Sequence, residues 1–468
     1  MRELMNSFIE HRLSRRGFCQ ALAAMSISVS GVASIVRAAE AAVNGVAGAG
    51  RPFTGTGGAL MVEQMKAAGV RYLFTNPGSF EVGFFDAFLD QPGVNLILGL
   101  HEGIVISMAD GYHKVSGEPA FVNVHVIAGT AQSVGQLYNS SRDGSALIVT
   151  AGLLDHEIND DEILLAPRPG FNQKDVTQQF TKISWESRDA TGLPSMLRRA
   201  FKVATTSPGG PVYLAIPNYI LEEKNVTADI YDRSAFMIPD DIPPGEDDIL
   251  ALAEFLLNAK NPVLFLGDEV HKAHAQPEAF ELAELLRIPV SEFLLPAFHC
   301  FPRHHSLFVG PYFLRANQDR DLVLNIGVTD LGGGPIPQPP RLAAGAKEVY
   351  IGLNTNAIGS ERPFNLAIVA NVKLALQALF EAIKSAATKD RISKMASLRS
   401  KPERRTPQIN NARLGMSPIH PDELAWVMEQ ELDKDAILVS ESFSRSNLFL
   451  TRASVNTKRC GFPILGLD

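Results

Sequence analysis

Apolar and polar positions alternate along the chain in a pattern that predicts helices and strands in turn from residue 54 onward. Apolar residues recur at helical spacing over residues 58–68, which predicts a first helix. Short apolar runs at residues 71–75, 94–100 and 120–126 predict buried strands. Helices alternating with short apolar strands are typical of a parallel sheet covered on both faces. The sequence therefore predicts an α/β protein made of successive doubly wound parallel-sheet domains.

The same pattern divides the chain into segments. It predicts one α/β domain over residues 54–223 and a second, central α/β domain over residues 244–385. The polar and basic residues 386–417 are interpreted as a solvated linker. A third unit begins over residues 418–468, and a segment of this size is too short to close a core of its own. The third unit is therefore expected to be incomplete.

Residues 1–42 have the order of an export signal rather than of a folded element. Arg15 and Arg16 form a twin-arginine motif, an apolar stretch without acidic residues follows at 20–36, and small residues at 38–42 offer a cleavage site. The sequence therefore predicts export to the periplasm by the twin-arginine route, and the alternative is a cytoplasmic protein with a disordered tail. No other segment is long and apolar enough to span a bilayer.

Composition narrows the class of protein. With 46% hydrophobic and 20% charged residues the chain matches a globular protein and neither a disordered nor a fibrous one. Its net charge of −8 argues against nucleic acid as a partner. The three cysteines, Cys19, Cys300 and Cys460, lie far apart, which excludes a disulfide framework and a cysteine zinc site. Motifs of P-loop ATPases, dinucleotide dehydrogenases, zinc proteases and serine hydrolases are absent.

Polar side chains directly follow three predicted strands of the first domain: Ser79, Glu102 and His125. Because the carboxyl ends of parallel strands meet at one edge of a sheet, these side chains are expected to lie together there. Nearby glycines, among them Gly78 and Gly129, let the backbone approach a ligand closely. A hydroxyl, a carboxylate and an imidazole in one cleft can hold a polar substrate and transfer protons.

Each of these residues also has a structural interpretation. Ser79 could cap the helix that follows it, and Glu102 could be a carboxylate favoured by a helix dipole. His125 could be a core histidine with its hydrogen bonds satisfied. Apolar residues flank Glu102 on both sides, an environment that favours a carboxyl able to share a proton. Three polar residues at successive strand ends favour a functional site over three separate structural roles.

The motifs around these loops resemble those of the thiamine-diphosphate-dependent enzymes, the superfamily of 2-oxo-acid decarboxylases and acetolactate synthases. The likeness is carried by Asn76-Pro77-Gly78-Ser79, by His101-Glu102-Gly103 with residues 108–112, by His125 with Gly129-Thr130, and by the segment 301–305. It covers about residues 57–450, and it is greatest for the benzoylformate decarboxylase family. The resemblance implies a pyrimidine-binding domain, a central domain and a diphosphate-binding domain in that order.

The resemblance also implies roles for individual residues. Glu102 corresponds to the glutamate that hydrogen-bonds the aminopyrimidine of thiamine diphosphate, and Ser79 to a serine that holds the substrate carboxylate. His125 and His305 correspond to histidines that transfer protons. The pyrimidine would lie beside Asn76, Pro77, Gly78, Gly129 and Thr130. The implied substrate is a small 2-oxo acid, the implied cofactors are thiamine diphosphate and Mg²⁺, and the implied assembly is a homodimer or homotetramer.

One part of the family pattern is missing. The family's diphosphate-binding half carries Gly-Asp-Gly and a later Asn that hold Mg²⁺ and the diphosphate, and this sequence contains no Gly-Asp-Gly. No metal-binding residue is therefore predicted, and the chain is expected to be C-terminally truncated and impaired. Val126 and Ile127 are bulkier than the resemblance leads one to expect, which leaves the substrate's size open.

Two classes of function follow from the sequence. The first is an enzyme that decarboxylates or ligates an aromatic or otherwise hydrophobic 2-oxo acid, with an acetolactate-synthase-like carboligase as the alternative within this class. The second is a protein without catalysis, either a remnant that keeps the fold or an exported binding protein.

Overall fold

The computed structural model describes part of the chain. The chain divides into two compact units, Met1–Pro239 and Asp240–Asp468. The described residues are Ala21, 50–154, 164–292, 297–302, 305–311, 320–329, 345–360, 363–398 and 413–433. Apart from Ala21, the predicted export signal lies outside these residues, as do residues 434–468 of the predicted third unit. Both therefore stay predictions.

The first unit contains eight strands and six α-helices within its described residues. The strands are β1 (Arg51–Gly55), β2 (Tyr72–Asn76), β3 (Asn95–Leu98), β4 (Ala120–Val124), β5 (Leu147–Leu153), β6 (Ile183–Glu186), β7 (Val212–Pro217) and β8 (Val226–Ile230). The helices are α1 (Gly57–Ala67), α2 (Val82–Asp90), α3 (Glu102–Ser116), α4 (Val126–Arg142), α5 (Leu193–Thr205) and α6 (Asn218–Glu222). Short 3₁₀ turns lie at Ser79–Glu81, Gln173–Val176, Gln178–Phe180 and Arg233–Ala235.

Six of these strands form one parallel sheet in the order β3-β2-β4-β5-β7-β6. The central strands β4, β5 and β7 are buried on both faces, and they are therefore predominantly apolar. Phe121 and Ile148 point into one core, whereas the adjacent Val122 and Val149 point into a second core on the opposite face. Helices cover both faces, and the predicted doubly wound α/β class is confirmed.

The structure corrects the sequence prediction at several boundaries of the first unit. Helix α4 begins at Val126, so the predicted loop with Gly129 and Thr130 is the first part of this helix. Strands β1 and β8 were not predicted, and they pair antiparallel, with Arg51 opposite Ile230. The partners in this pair are far apart in sequence, and neither strand has a periodic pattern that marks it alone. Helix α3 ends at Gly117, whose left-handed backbone (φ 71°) is typical of a glycine that terminates a helix.

The second unit has its own six-stranded parallel sheet, in the order β11-β10-β9-β12-β13-β14. Its strands are β9 (Pro262–Leu266), β10 (Val290–Glu292), β11 (Phe308–Pro311), β12 (Leu322–Ile326), β13 (Lys347–Gly352) and β14 (Leu366–Val369). Its helices are α7 (Glu246–Asn258), α8 (Glu269–Lys272), α9 (Gln276–Leu286), α10 (Val372–Ala386), α11 (Lys389–Leu398) and α12 (Pro421–Glu431), and a 3₁₀ turn lies at Thr355–Ala357.

The predicted linker over residues 386–417 is corrected in its first part. Residues 389–398 form helix α11, which packs against α9. Ile392 and Ala396 are buried there, because these two residues four positions apart lie on one helix face. The sequence analysis missed this helix because its short apolar stripe lies within a predominantly basic and polar segment. Among the described helices, none is long and apolar enough to cross a membrane.

Candidate active site

The three predicted strand-end loops of the first unit meet at one edge of the sheet. Strand β2 lies between β3 and β4 and pairs parallel with both: Thr75 is opposite Leu98, and Asn76 is opposite Val124. The segments that follow these strands carry Ser79, Glu102 and His125 in turn. The parallel register therefore places all three segments at the carboxyl edge of the sheet, as the sequence predicts.

Glu102 is the first residue of helix α3, and its side chain is partly buried. The carboxylate lies against the first turn of α4: a Cβ built on Gly129 would be 3.1 Å from Glu102 Oε1 and 3.3 Å from its Cγ. Only a glycine leaves this room without a shift of the glutamate. The cap of helix α3 is His101, whose Nδ1 accepts from the Gly103 N–H at 3.0 Å, so Glu102 is not needed as a cap.

The Glu102 carboxylate has no hydrogen-bond partner within the described part of the chain. A partly buried carboxylate without a protein partner is suited to accept a donor from a ligand. The glycine beside it gives that ligand access. These two observations fit the predicted contact of Glu102 with an aminopyrimidine, whose ring nitrogen can share a proton with the carboxyl group.

His125 immediately precedes helix α4, and its side chain is 20% exposed. Its Nδ1 lies 2.9 Å from Oε2 of Glu81, a carboxylate with no solvent exposure. The Phe80 ring lies nearly parallel to the imidazole, with 17° between the planes and 6.1 Å between the centroids. The imidazole therefore lies partly exposed at the carboxyl edge of the sheet, and its role as a site residue stays a prediction.

Sequence reasoning missed Glu81, which connects the segments after β2 and β4 to the end of strand β5. Its Oε1 accepts from the N–H groups of Val126 (3.1 Å) and Gly152 (2.9 Å). Its Oε2 accepts from the Gly78 N–H at 3.0 Å as well as contacting His125. The only signal in the sequence is an acidic residue between apolar Phe80 and Val82 at the start of a predicted helix.

The segment 76–79 lies beside the imidazole. A Cβ on Gly78 would be 2.1 Å from His125 Nδ1, so the ring packs directly on the glycine backbone. Ser79 is exposed, Asn76 is partly buried and Pro77 is exposed, all on the segment that leaves β2. The alternative that Ser79 caps a helix is wrong, because Gly78 occupies the cap position and no side chain caps α2.

Thr130 supports helix α4 from inside the protein. It is fully buried, and its hydroxyl contacts the Val126 carbonyl at 2.6 Å and the Tyr213 hydroxyl at 2.7 Å. Gln173 Nε2 donates to the same tyrosine oxygen at 2.8 Å. Burial raises the pKa of Tyr213 far above its usual range, so the tyrosine stays protonated and donates to Thr130. The hydroxyl of Thr130 is therefore engaged inside the protein.

His305, the fourth predicted catalytic residue, belongs to the second unit. Its ring packs edge-on against Phe280 and Phe301, and its Nε2 lies 3.4 Å from Glu284 Oε1. Its Nδ1 accepts from the Leu307 N–H at 3.3 Å. The proton-transfer role of His305 stays a prediction.

Acidic, cysteine and histidine side chains do not form a metal-binding group anywhere in the described residues. The residues that fit a cofactor are those at the edge of the first sheet: Glu102 with its unsatisfied carboxylate, Gly129 beside it, and Gly78 beside His125. This set fits a flat, hydrogen-bonding heterocycle, and it contains no cluster of oxygen ligands for a divalent cation.

Comparisons with known proteins agree with this geometry. The family model of the thiamine pyrophosphate enzyme N-terminal TPP-binding domain matches residues 55–180, and that of the central domain matches residues 249–379. Benzoylformate decarboxylase of Pseudomonas aeruginosa is 32% identical over 403 residues, which cover 84% of this chain and 72% of that protein. The chain belongs to the family of thiamine-pyrophosphate-dependent enzymes, and the predicted family is confirmed.

Two further relatives show the breadth of the likeness. The acetolactate synthase large subunit of Haemophilus influenzae is 25% identical over 334 residues, which cover 69% of this chain and 57% of that protein. The solved structure of the thiamine-diphosphate-dependent 4-hydroxybenzoylformate decarboxylase of Rhodococcus jostii is 27% identical, with a TM-score of 0.69. That match covers 87% of this chain and 75% of that structure. The similarity therefore extends through both α/β units.

Proposed function

We propose that the edge of the first sheet is the pyrimidine-binding half of a thiamine diphosphate site, and that the protein decarboxylates an aromatic or otherwise hydrophobic 2-oxo acid. The single observation that carries the proposal is the Glu102 carboxylate, which has no partner within the described residues and lies against Gly129. His125 lies at the same edge: it follows strand β4, which is separated by β2 from the strand that precedes Glu102, β3.

Thiamine diphosphate, when bound, supplies the electron sink that loss of CO₂ requires. Glu102 shares a proton with the ring nitrogen of the pyrimidine: its carboxyl group donates to that nitrogen, and its carboxylate accepts from the nitrogen once it is protonated. His125 moves a proton to or from the substrate at Nε2, and Ser79 donates its hydroxyl to the substrate carboxylate. Mg²⁺ and an assembly of at least two chains remain parts of this proposal that rest on the family resemblance alone.

An aromatic substrate is favoured by two observations. The ring of Phe80 lies next to the imidazole of His125 and adds apolar surface to the edge that carries Ser79. Relatives of this chain include decarboxylases of benzoylformate and 4-hydroxybenzoylformate. Aromatic rings pack favourably in offset or edge-on arrangements, so Phe80 can contribute to binding a phenyl group.

The test is CO₂ release from benzoylformate by the purified full chain with thiamine diphosphate and Mg²⁺, with calorimetric titration of the cofactor alongside. We expect CO₂ release that depends on added thiamine diphosphate. Glu102→Gln is expected to lower the rate by about 10²–10⁴-fold, since the amide cannot hold the proton. Equal rates for the two proteins would refute the role of Glu102.

Glu246→Gln is the matched control. Glu246 is also the first residue of a helix, α7, but it is exposed and lies in the second unit. The same chemical change there is expected to leave CO₂ release unchanged. If both substitutions lower the rate equally, the effect does not come from the candidate site, and the proposal fails.

A carboligase is the second candidate, and the similarity to acetolactate synthases favours it. The two activities differ in their products. Pyruvate would give acetolactate in the carboligase, whereas benzoylformate would give benzaldehyde and CO₂ in the decarboxylase. Acetolactate formation together with bound FAD in the purified protein would favour the carboligase.

A further inference from the structure

The buried carboxylate of Glu81 has a chemical consequence for His125. Three of its four contacts are backbone N–H groups, two on Oε1 and one on Oε2. A backbone N–H can only donate, so the carboxylate is an acceptor at each of these contacts. An ionised carboxylate has no hydrogen to donate, so its fourth contact, from Oε2 to His125 Nδ1 at 2.9 Å, places the hydrogen on the histidine nitrogen.

The geometry points to Glu81 as a positioning residue that fixes His125 in the tautomer with hydrogen on Nδ1, leaving Nε2 as the acceptor nitrogen. The catalytic meaning of this inference rests on the proposed function, in which His125 transfers a proton to or from the substrate. The tautomer itself does not depend on any activity. Glu81 acts through His125 and contacts neither cofactor nor substrate in the proposal.

The orientation of the ring is fixed together with its tautomer. The imidazole packs on Gly78, where a Cβ would approach within 2.1 Å of Nδ1, so the ring cannot tilt toward that side. The Gly78 N–H donates to the same Oε2 that holds Nδ1. Glu81 Oε2 therefore holds the His125 ring and the Gly78 backbone together.

The backbone at the next residue is held by the other carboxylate oxygen. Val126 has φ 35°, a conformation that a β-branched residue rarely adopts. Its N–H donates to Glu81 Oε1 at 3.1 Å, and its side chain is fully buried. Strain of this kind persists only where the surroundings impose it. Glu81 therefore holds both the side chain of His125 and the main chain directly after it.

The substitution Glu81→Gln tests the inference, because the amide can donate at only one of the two oxygen positions and the neighbouring groups determine which one. If the amide NH₂ replaced Oε1, it would face two N–H donors, whereas in place of Oε2 it faces only the Gly78 N–H and the imidazole. The second placement has fewer donor–donor conflicts. In that placement the amide donates to Nδ1, and the hydrogen of the neutral imidazole moves to Nε2. The variant is therefore expected to invert the tautomer of His125.

The measurement is nitrogen NMR of the full chain with ¹⁵N-labelled histidine, at an alkaline pH where the imidazoles are neutral. The His125 signals are identified by their loss in His125→Asn. We expect the Nδ1–H tautomer in the wild type and the Nε2–H tautomer in Glu81→Gln. Glu63→Gln, a change at another largely buried glutamate of the first unit, is expected to leave the His125 signals unchanged.

Two results would overturn the inference: an Nε2–H tautomer in the wild type, or an unchanged Nδ1–H tautomer in Glu81→Gln. If Glu81→Gln does not fold, the wild-type spectrum decides alone. In the CO₂ assay, the variant is expected to lose about 10²-fold in kcat with little change in KM, because an Nε2–H nitrogen cannot accept a proton. The expected tautomers without CO₂ release in the wild type would refute the proposed function and leave the positioning role intact.

Discussion

The two sheets have the same parallel architecture, yet their carboxyl edges differ in how they use acidic side chains. In the second unit, Glu269 follows β9 and its two oxygens accept from the N–H groups of Leu353 (2.7 Å) and Asn354 (3.0 Å). Glu292, at the end of β10, accepts from the N–H groups of Cys300 and Phe301. In both cases the strand-end carboxylate holds a loop.

The first unit has one carboxylate of each kind. Glu81 accepts hydrogen bonds from backbone N–H groups, as Glu269 and Glu292 do. Glu102 also lies close to a strand end, but it accepts no backbone N–H group within the described residues. A polar residue at the carboxyl end of a parallel strand is therefore not by itself a sign of function. The state of its hydrogen bonds separates a residue that stabilises the fold from one that is available to a ligand.

The largest expected effect on stability tests this distinction directly. Glu81→Ala removes the acceptor of three backbone N–H groups, and an unsatisfied buried group costs about 1–3 kcal/mol. We expect a loss of about 3 kcal/mol or more in the free energy of unfolding. Glu102→Ala is expected to change it by less than about 0.5 kcal/mol.

Urea unfolding followed by the fluorescence of Trp185, which lies in β6 of the first unit, measures both changes. Trp426 is the other tryptophan of the chain, so all variants are made in a Trp426→Phe background. If Glu81→Ala and Glu102→Ala lower the free energy of unfolding equally, the two carboxylates do not differ in how far they stabilise the fold, and the distinction is wrong.

A smaller effect is expected at the glycine beside Glu102. Gly129→Ala places a Cβ 3.1 Å from Glu102 Oε1, so the carboxylate must shift by a few tenths of an ångström. We expect the CO₂ rate to fall about 10-fold, because proton-transfer groups tolerate little displacement. The measurement is the same benzoylformate assay.

Gly135 provides the control in the same helix, α4, since its added Cβ would meet nothing within 4 Å apart from its chain neighbours and the helix backbone. Gly135→Ala is expected to keep the rate and to raise the free energy of unfolding by roughly 0.5–1 kcal/mol. Loss of activity in both glycine variants would point to the helix rather than to contact with Glu102.

The smallest expected effect is a pH dependence in the second unit. Burial raises the pKa of Glu269 above its ordinary value of 4.5, despite the opposing N–H groups of Leu353 and Asn354. The folded state then binds more protons than the unfolded state above pH 4.5, so this group's contribution to stability falls as pH rises.

Glu269→Gln removes this titration. In urea unfolding from pH 4.5 to neutrality, the difference in stability between wild type and variant is expected to shrink as pH rises. A difference that is constant with pH, or one that grows, would contradict the raised pKa. The variant itself is expected to be less stable at acidic pH, because one amide hydrogen faces a backbone donor.

The sequence predicted the parts of the site that depend on topology. Glu102 and His125 follow recognisable apolar strands, and parallel strands bring their carboxyl ends together whatever the intervening helices are. Glu81 could not be predicted, because its partners Val126 and Gly152 lie 45 and 71 residues away. The helix in the predicted linker was hidden because a short apolar stripe lies within a basic segment.

The four contacts of Glu81 limit how the site can respond to a ligand. They tie the segments after β2 and β4 to the end of strand β5 as one body, so neither segment can close over a substrate alone without breaking a charge-assisted bond. Adjustment to substrates of different shape must then come from side chains outside this body, and exposed Ser79 and its neighbour Phe80 are placed for it. We therefore expect changes in substrate specificity to arise from substitutions of Ser79 and Phe80, with Glu81 unchanged.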